Sequence, residues 1–250
     1  MTLRHLLIAA LALPAAPLLA AAVPASIAAA ISDPGRPARD KARDATRKPA
    51  EMLAFAEVKP GQTAVDFFPG GGYFTRLFST AVGPKGMVYA ATPQTILDRL
   101  QASGEAPPSP VSSEAGHANV HETVFSDTSL GTASKADLVW TSQNYHDIHI
   151  WDGAEGTARL NKAVFNALKP GGLYVVLDHA GAPGLDDAGI GQLHRIDEAL
   201  VKKEVTAAGF VLDGESQLLH NPADPHSANS SDASIRGKTD QFLLRFRKPR

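Results

Sequence analysis

VDFFPGGGYFTRLF, residues Val65–Phe78, is the stretch on which the reading of this chain turns. A short apolar run ends in three consecutive glycines, and a segment with helical spacing follows, with Phe74, Leu77 and Phe78 on one side. A strand, a glycine turn and a helix in this order make either of two things. They form a tight turn, or they form a cradle in which Gly70, Gly71 and Gly72 let backbone and helix N–H groups approach a ligand. The spacing is not G-x-G-x-x-G, because position 75 is Thr, and bulky Phe68 and Pro69 precede the glycines. Taken by itself, the triplet leaves turn and cradle open.

Working outward, QTAVDFF, MVYAAT, Asp137–Trp140 and LYVVLDH read as buried strands without polar alternation. Helical segments separate them, the clearest being EGTARLNKAVFNALKPGG with Leu160, Val164, Phe165 and Leu168 on one face. The stretch from Gln94 to Thr123 begins as a short helix and reads as a Ser/Pro/Gly-rich loop thereafter. RIDEALVKKEVTAAGFV is a helix stopped at Gly209, and two final strands near Leu212–His220 and Gln241–Phe246 have no crossover helix between them, which makes an antiparallel addition. This alternation predicts an α/β fold, three-layer and doubly wound, with a mainly parallel sheet. Ligands of such sheets bind beyond the carboxyl ends of the strands, where the opening stretch lies.

The chain has 250 residues, enough for one sizeable core, and a formal net charge of -2 that argues against a nucleic-acid surface. It has no cysteine, which excludes disulfides, thiolate chemistry and Cys-based metal sites. Residues 1–30 carry Arg4, an apolar run from Leu6 to Val23 and a small-residue end, the pattern of a signal peptide cut between about Ala25 and Ala30. The expected organisation is a signal peptide over 1–30, a flexible or partly helical lead-in over 31–48 and one domain over 49–250. The protein is expected to be periplasmic or secreted, with no stable membrane insertion after cleavage.

Polar residues gather just past two strand ends. SQNYHDIH supplies Asn144, Tyr145, His146, Asp147 and His149, and imidazole is the side chain best placed to move protons near neutral pH. The same residues also make an ordinary polar loop that caps the next helix. LDHAG supplies Asp178 and His179, either an active-site pair or a structural one. A metal set of His146 and His149 with Asp147, or with Asp178 and His179, is an alternative, although no H-x-x-x-H or H-E-x-x-H helix is present. His194, Asp197 and Lys202 are expected near one helical face, with Arg195 and Glu198 as an i, i+3 pair.

In the order VDFFPGGGYFTRLF, GMVYAAT, ADLVWTSQNYHD, ALKPGGLYVVLDH and EVTAAGF, the sequence resembles the class I S-adenosylmethionine-dependent methyltransferases over about residues 40–248. Within them it is similar to an exported bacterial branch of methyltransferase-like proteins in which P-G-G-G-Y-F-T, N-Y-H-D and H-R-I-D follow one another. Asp66, Gly70 and Gly72 match the D/E-x-G-x-G-x-G pattern, with Phe68 at the first glycine place. The resemblance implies a seven-stranded Rossmann-like sheet with a reversed terminal strand, and S-adenosyl-L-methionine as cofactor. It places the cofactor over Asp66, Pro69, Gly70, Gly71 and Gly72, with Thr92 and Asn144 as further contacts. The acid that would grip the ribose after the second strand has no counterpart at Ala91.

The chemistry implied is methyl transfer to an oxygen or nitrogen of a small molecule or envelope component. His146 is then the first choice of base, Asp147 orients it, His179 is the competing base, and Asn144 and Tyr145 position the acceptor. A ligand- or partner-binding protein without turnover and a His/Asp or metal-dependent hydrolase are the alternatives.

Overall fold

The computed structural model describes residues 23–250, so most of the expected signal segment lies outside the described residues. The described residues form seven strands: β1 (Thr63–Phe67), β2 (Met87–Pro93), β3 (Val120–Phe125), β4 (Ala136–Ser142), β5 (Leu168–His179), β6 (Val211–Ser216) and β7 (Gln241–Arg247). Helices lie between all consecutive strands but β3 and β4, and β6 and β7. The strands form one sheet in the order β3-β2-β1-β4-β5-β7-β6. Strands β1 to β5 pair in parallel, and β7 is antiparallel to both β5 and β6. The reversed terminal strand is therefore β7, inserted between its two neighbours. The fold is a mixed, mainly parallel, three-layer Rossmann-like sheet.

Strand β3 is the element that local sequence reading assigns to a loop. It is an edge strand whose His121, Glu122 and Val124 are exposed, so VHETVF lacks the apolar run that marks the inner strands. The inner strands behave as their composition demands, Val65, Phe67, Val139, Trp140, Tyr174 and Val176 being fully buried. Helix α5 (Tyr73–Val82) packs Phe74, Leu77 and Phe78 on one face of the sheet, and Phe74 and Phe78 both lie against Trp140. Helix α7 (Tyr145–Ala167) covers the opposite face and breaks at Gly153, whose φ of 63° and ψ of -163° are not helical. Leu168, expected on that helix, already belongs to β5.

Ahead of the sheet lie α1 (Ala25–Ser32), α2 (Ala38–Lys41), α3 (Asp44–Arg47) and α4 (Pro49–Phe55). The lead-in is thus partly helical, and polar contacts fasten it to the domain. Arg36 donates to both oxygens of Asp44, at 2.6 and 2.9 Å, and the Tyr73 hydroxyl donates to the same carboxylate at 2.7 Å. Helix α1 packs on α5 and buries Ile27 and Ala30 completely. A cut anywhere between Ala25 and Ala30 would divide this helix. Helices α6 (Gln94–Ser103), α8 (Asp187–Leu193) and α9 (Glu198–Ala207) complete the layers. Among the described residues, no helix is long and apolar enough to cross a membrane.

Candidate active site

The sheet order reverses direction between β1 and β4, and the site is built on their carboxyl ends. Asn144 holds the two ends together. Its amide donates to the Phe68 carbonyl at 3.1 Å and its carbonyl accepts from the Thr141 hydroxyl. Phe68 has φ 55°, in the left-handed region, which explains why a glycine suits this place; its N–H still bonds Ala91 at 2.8 Å and its ring packs against Trp151. The bulky residue keeps the loop conformation at the cost of local strain.

The three glycines divide their duties. A Cβ on Gly72 would meet the Val111 side chain at 2.4 Å, so this glycine, at φ 78°, is required by packing. A Cβ on Gly70 or Gly71 would meet nothing within 4 Å. Both open into free space beside the loop. Turn and cradle are therefore both present in one triplet.

Two cavities adjoin the loop, and a third opens beside the first. A polar one of about 490 Å³ is lined by Asp66, Pro69, Gly70, Gly71, Asn144 and Asp147, with Arg39, Arg43 and Arg47 arching over from the lead-in. An apolar one of about 420 Å³ shares Phe68, Pro69 and Gly70 with it and is walled by Ile96, Leu97, Leu100, Val124 and the 107–111 segment. Thr92, half-buried, and Glu122 of β3 supply its polar edge. A third cavity, of about 440 Å³, shares Arg43, Arg47, Phe74, Ser142 and Gln143 with the polar one and adds His179 and Arg236.

Burial sets the charge states. Asp66 is pushed up to about 7 by burial, against a 2.6 Å hydrogen bond from the Thr75 hydroxyl and the nearby charge of Arg47. Arg47 is lowered to about 10, chiefly by burial and then by Arg43. Its guanidinium lies over the Tyr73 ring at 4.8 Å and donates to Gln143 at 3.0 Å, with no carboxylate within ion-pair distance among the described residues. His179 is lowered to about 4 by burial, and its Nδ1 lies 2.8 Å from the Thr239 hydroxyl. It is a neutral imidazole at neutral pH.

Several expected roles change. Tyr145 does not face a cavity: it is fully buried, its hydroxyl donating to Glu204 and accepting from Asn161, both at 2.8 Å, because the first turn of α7 points it into the core. His146 is buried as well and lines none of the three cavities. Its orienting partner is Asp178, which accepts from Nδ1 at 2.7 Å and from the backbone N–H at 2.8 Å, whereas Asp147 stands 3.5 Å from Nε2. The metal set expected around His149 does not gather, since His149 turns to Asp187 at 2.9 Å. His194 and Asp197 do not share a helix face: His194 ends α8 and Asp197 caps α9. Arg195, fully buried, pairs with Asp224 at 2.8 Å rather than with Glu198.

Arg76 carried no signal in the sequence beyond its helix. Buried at the start of α5, it donates to Asp40, to the Gly71 carbonyl and to Glu114, tying the lead-in, the glycine loop and the segment before β3 together. Arg47 of the lead-in was equally silent, because its partner Gln143 lies 96 residues further along the chain.

No protein-family profile and no curated protein sequence matches the chain. Solved structures do. A SAM dependent methyltransferase from Aquifex aeolicus is 17% identical over 85% of this chain and 98% of its own, with a TM-score of 0.50. A SAM-dependent methyltransferase from Mesorhizobium loti is 17% identical over 82% and 100%, with a TM-score of 0.51. An arsenic (III) S-adenosylmethionine methyltransferase from Chlamydomonas reinhardtii is 15% identical over 92% and 75%, with a TM-score of 0.52. These likenesses establish the fold.

Proposed function

We propose that the chain is an S-adenosylmethionine-dependent methyltransferase acting on a hydroxyl or amine of an anionic small molecule or envelope component. The observation that carries this reading is the meeting of a polar and an apolar cavity over Gly70. A ligand with a zwitterionic amino-acid end and a flat adenine end matches that division, and the open space at Gly70 and Gly71 leaves room for it. Asp66 would hold the ammonium and Arg47 the carboxylate. Ile96, Leu97 and Leu100 would enclose the base, and Thr92 with Glu122 would meet the ribose hydroxyls in place of the acid missing after β2.

The bound cofactor would supply an activated methyl group on a sulfonium. The chain's own residues would align the acceptor, exclude water and take one proton. The third cavity suits the acceptor: Arg43, Arg47 and Arg236 line it, no carboxylate does, and His179 is the imidazole in its lining. His179 thus replaces His146 as the preferred base. Export belongs to this proposal and rests on the pattern of residues 1–30, with the cut placed ahead of α1 so that Ile27 stays packed.

Thermal unfolding with and without S-adenosylhomocysteine tests the reading. At about a hundredfold excess over Kd, ligand binding to the folded state alone adds roughly 2.7 kcal/mol. An unchanged midpoint at millimolar ligand removes the assignment. Absence of the acid after β2 favours a second reading, a ligand-binding protein without turnover, which binding without methyl transfer to any offered acceptor would support.

A further inference from the structure

We propose a divalent-cation site, formed by His146 Nε2, the Asp147 carboxylate and His194 Nδ1, suited to zinc or a similar first-row ion. These three ligand atoms lie within 4.8 Å of one another, although His194 is 47 to 48 residues further along the chain. Asp147 Oδ1 is 3.5 Å from His146 Nε2 and 3.4 Å from His194 Nδ1. Charged hydrogen bonds in the same neighbourhood are shorter, at 2.7 Å for His146 to Asp178. Four ligands placed tetrahedrally at about 2.0–2.1 Å from an ion stand about 3.4 Å apart, which is the spacing of Asp147 from each of the two imidazoles.

The ring orientation points the same way. His146 Nδ1 faces Asp178 and donates to it, so Nε2 is the ring nitrogen turned to Asp147 and, once deprotonated, to an ion between them. A carboxylate behind the far ring nitrogen is also the usual support of a metal-bound imidazole, because it fixes tautomer and ring orientation. Asp178 is fully buried and additionally holds the His146 backbone N–H, so this support is rigid.

The backbone of His194 is held in place. Its backbone sits in the left-handed region at φ 48°, its N–H bonds Ile190 at 2.9 Å, and the next residues are stitched to β5 by Ile196 N–H to His179 at 3.1 Å and Gly181 N–H to Ile196 at 2.8 Å. Strain of this kind persists only where the surroundings over-determine it. Asp147 also lines the polar cavity, so an ion bound here is reached from the proposed cofactor and acceptor space. Three protein ligands leave a fourth position open toward a water or ligand oxygen. The site stands on these contacts and does not require the methyltransferase reading.

Calorimetric titration of the full chain with zinc chloride tests it, followed by cobalt chloride with visible absorption. The expected result is one ion per chain with micromolar or tighter affinity, and the intense absorption of tetrahedral cobalt. Asp147→Asn and His194→Asn each lower affinity at least tenfold; His194 is half exposed and Asn accepts the left-handed backbone, so the fold is kept. His220→Asn, which alters a separate His–Asp pair with Asp240, leaves binding unchanged. No saturable binding below millimolar zinc overturns the proposal. So does binding of equal strength in Asp147→Asn and His194→Asn whose thermal unfolding matches the parent.

Discussion

The carboxylate of Asp178 accepts two hydrogen bonds from one residue, His146: the ring Nδ1 at 2.7 Å and the backbone N–H at 2.8 Å. The pair joins the end of β5 to the first turn of α7, on the two sides of β4. Asp178→Asn removes the charge from a fully buried pair and replaces one of the two accepting oxygens by an NH2 donor, so the ring and the backbone N–H of His146 can no longer both be satisfied. Breaking a buried pair from one side costs about 3 kcal/mol. The expected outcome is a fall of the unfolding free energy by that order in denaturant titration, with an unchanged m-value.

Gly71→Ala separates cradle from turn. Position 71 has no positive φ, and its new Cβ meets nothing within 4 Å, so stability is expected to hold within about 0.5 kcal/mol. The methyl group projects into the space assigned to the cofactor, and binding of S-adenosylhomocysteine is expected to fall at least tenfold. Gly72→Ala has the opposite profile, because its Cβ collides with Val111. Circular-dichroism melts and calorimetry on both variants read the two effects apart.

Asp66 gives a pH signature. Its folded value is raised to about 7 by burial, while the unfolded chain releases the same proton near pH 4. Between these values the folded state binds more protons, so the contribution of this group is fully present below about pH 4 and is lost as pH rises through 7. The span is about 4 kcal/mol as an upper bound. Asp66→Asn should therefore gain stability relative to the parent between pH 5 and pH 8. Cofactor affinity in the parent should rise over the same interval, because the ionised carboxylate is the form that pairs with an ammonium.

Arg47→Met exchanges a poorly solvated charge for an apolar side chain on the Tyr73 ring. Burial already lowers Arg47 to about 10, so removing its charge leaves stability within about 1 kcal/mol or raises it. Binding of an anionic ligand in the two cavities it lines falls at least tenfold. A variant that melts early and still binds normally would assign Arg47 a packing role.

Chains begun at Val23 and at Ile31 test how α1 is used. Loss of the fully buried Ile27 and Ala30 is expected to destabilise the shorter chain by about 3 kcal/mol. N-terminal sequencing of the exported protein should find a start ahead of Ala25.

Much of this architecture was legible locally. Buried strands such as LYVVLDH and the strand–glycine–helix order around Gly70 carry their own signal in hydrophobic runs and turn residues. Edge strand β3 does not, because solvent on its flank permits His121 and Glu122 where an inner strand would be apolar. Asp66, the glycines, Asn144 and Asp147 were placed by their position after strand ends. Arg47, Arg76, Asp178 as partner of His146, and His194 were not, since each acts through partners 32 to 96 residues away. Tyr145 failed for a related reason: helical phase, not adjacency to His146, decides which way a side chain points.

The central claim is that the divided cavity over Gly70 and Gly71 receives S-adenosylmethionine. Calorimetric titration of the metal-free protein with S-adenosylmethionine and S-adenosylhomocysteine tests it most directly. The account predicts one saturable site for each, lost or weakened at least tenfold in Gly71→Ala and independent of the zinc titration. No heat of binding for either ligand at millimolar concentration, in protein that unfolds cooperatively, would contradict it.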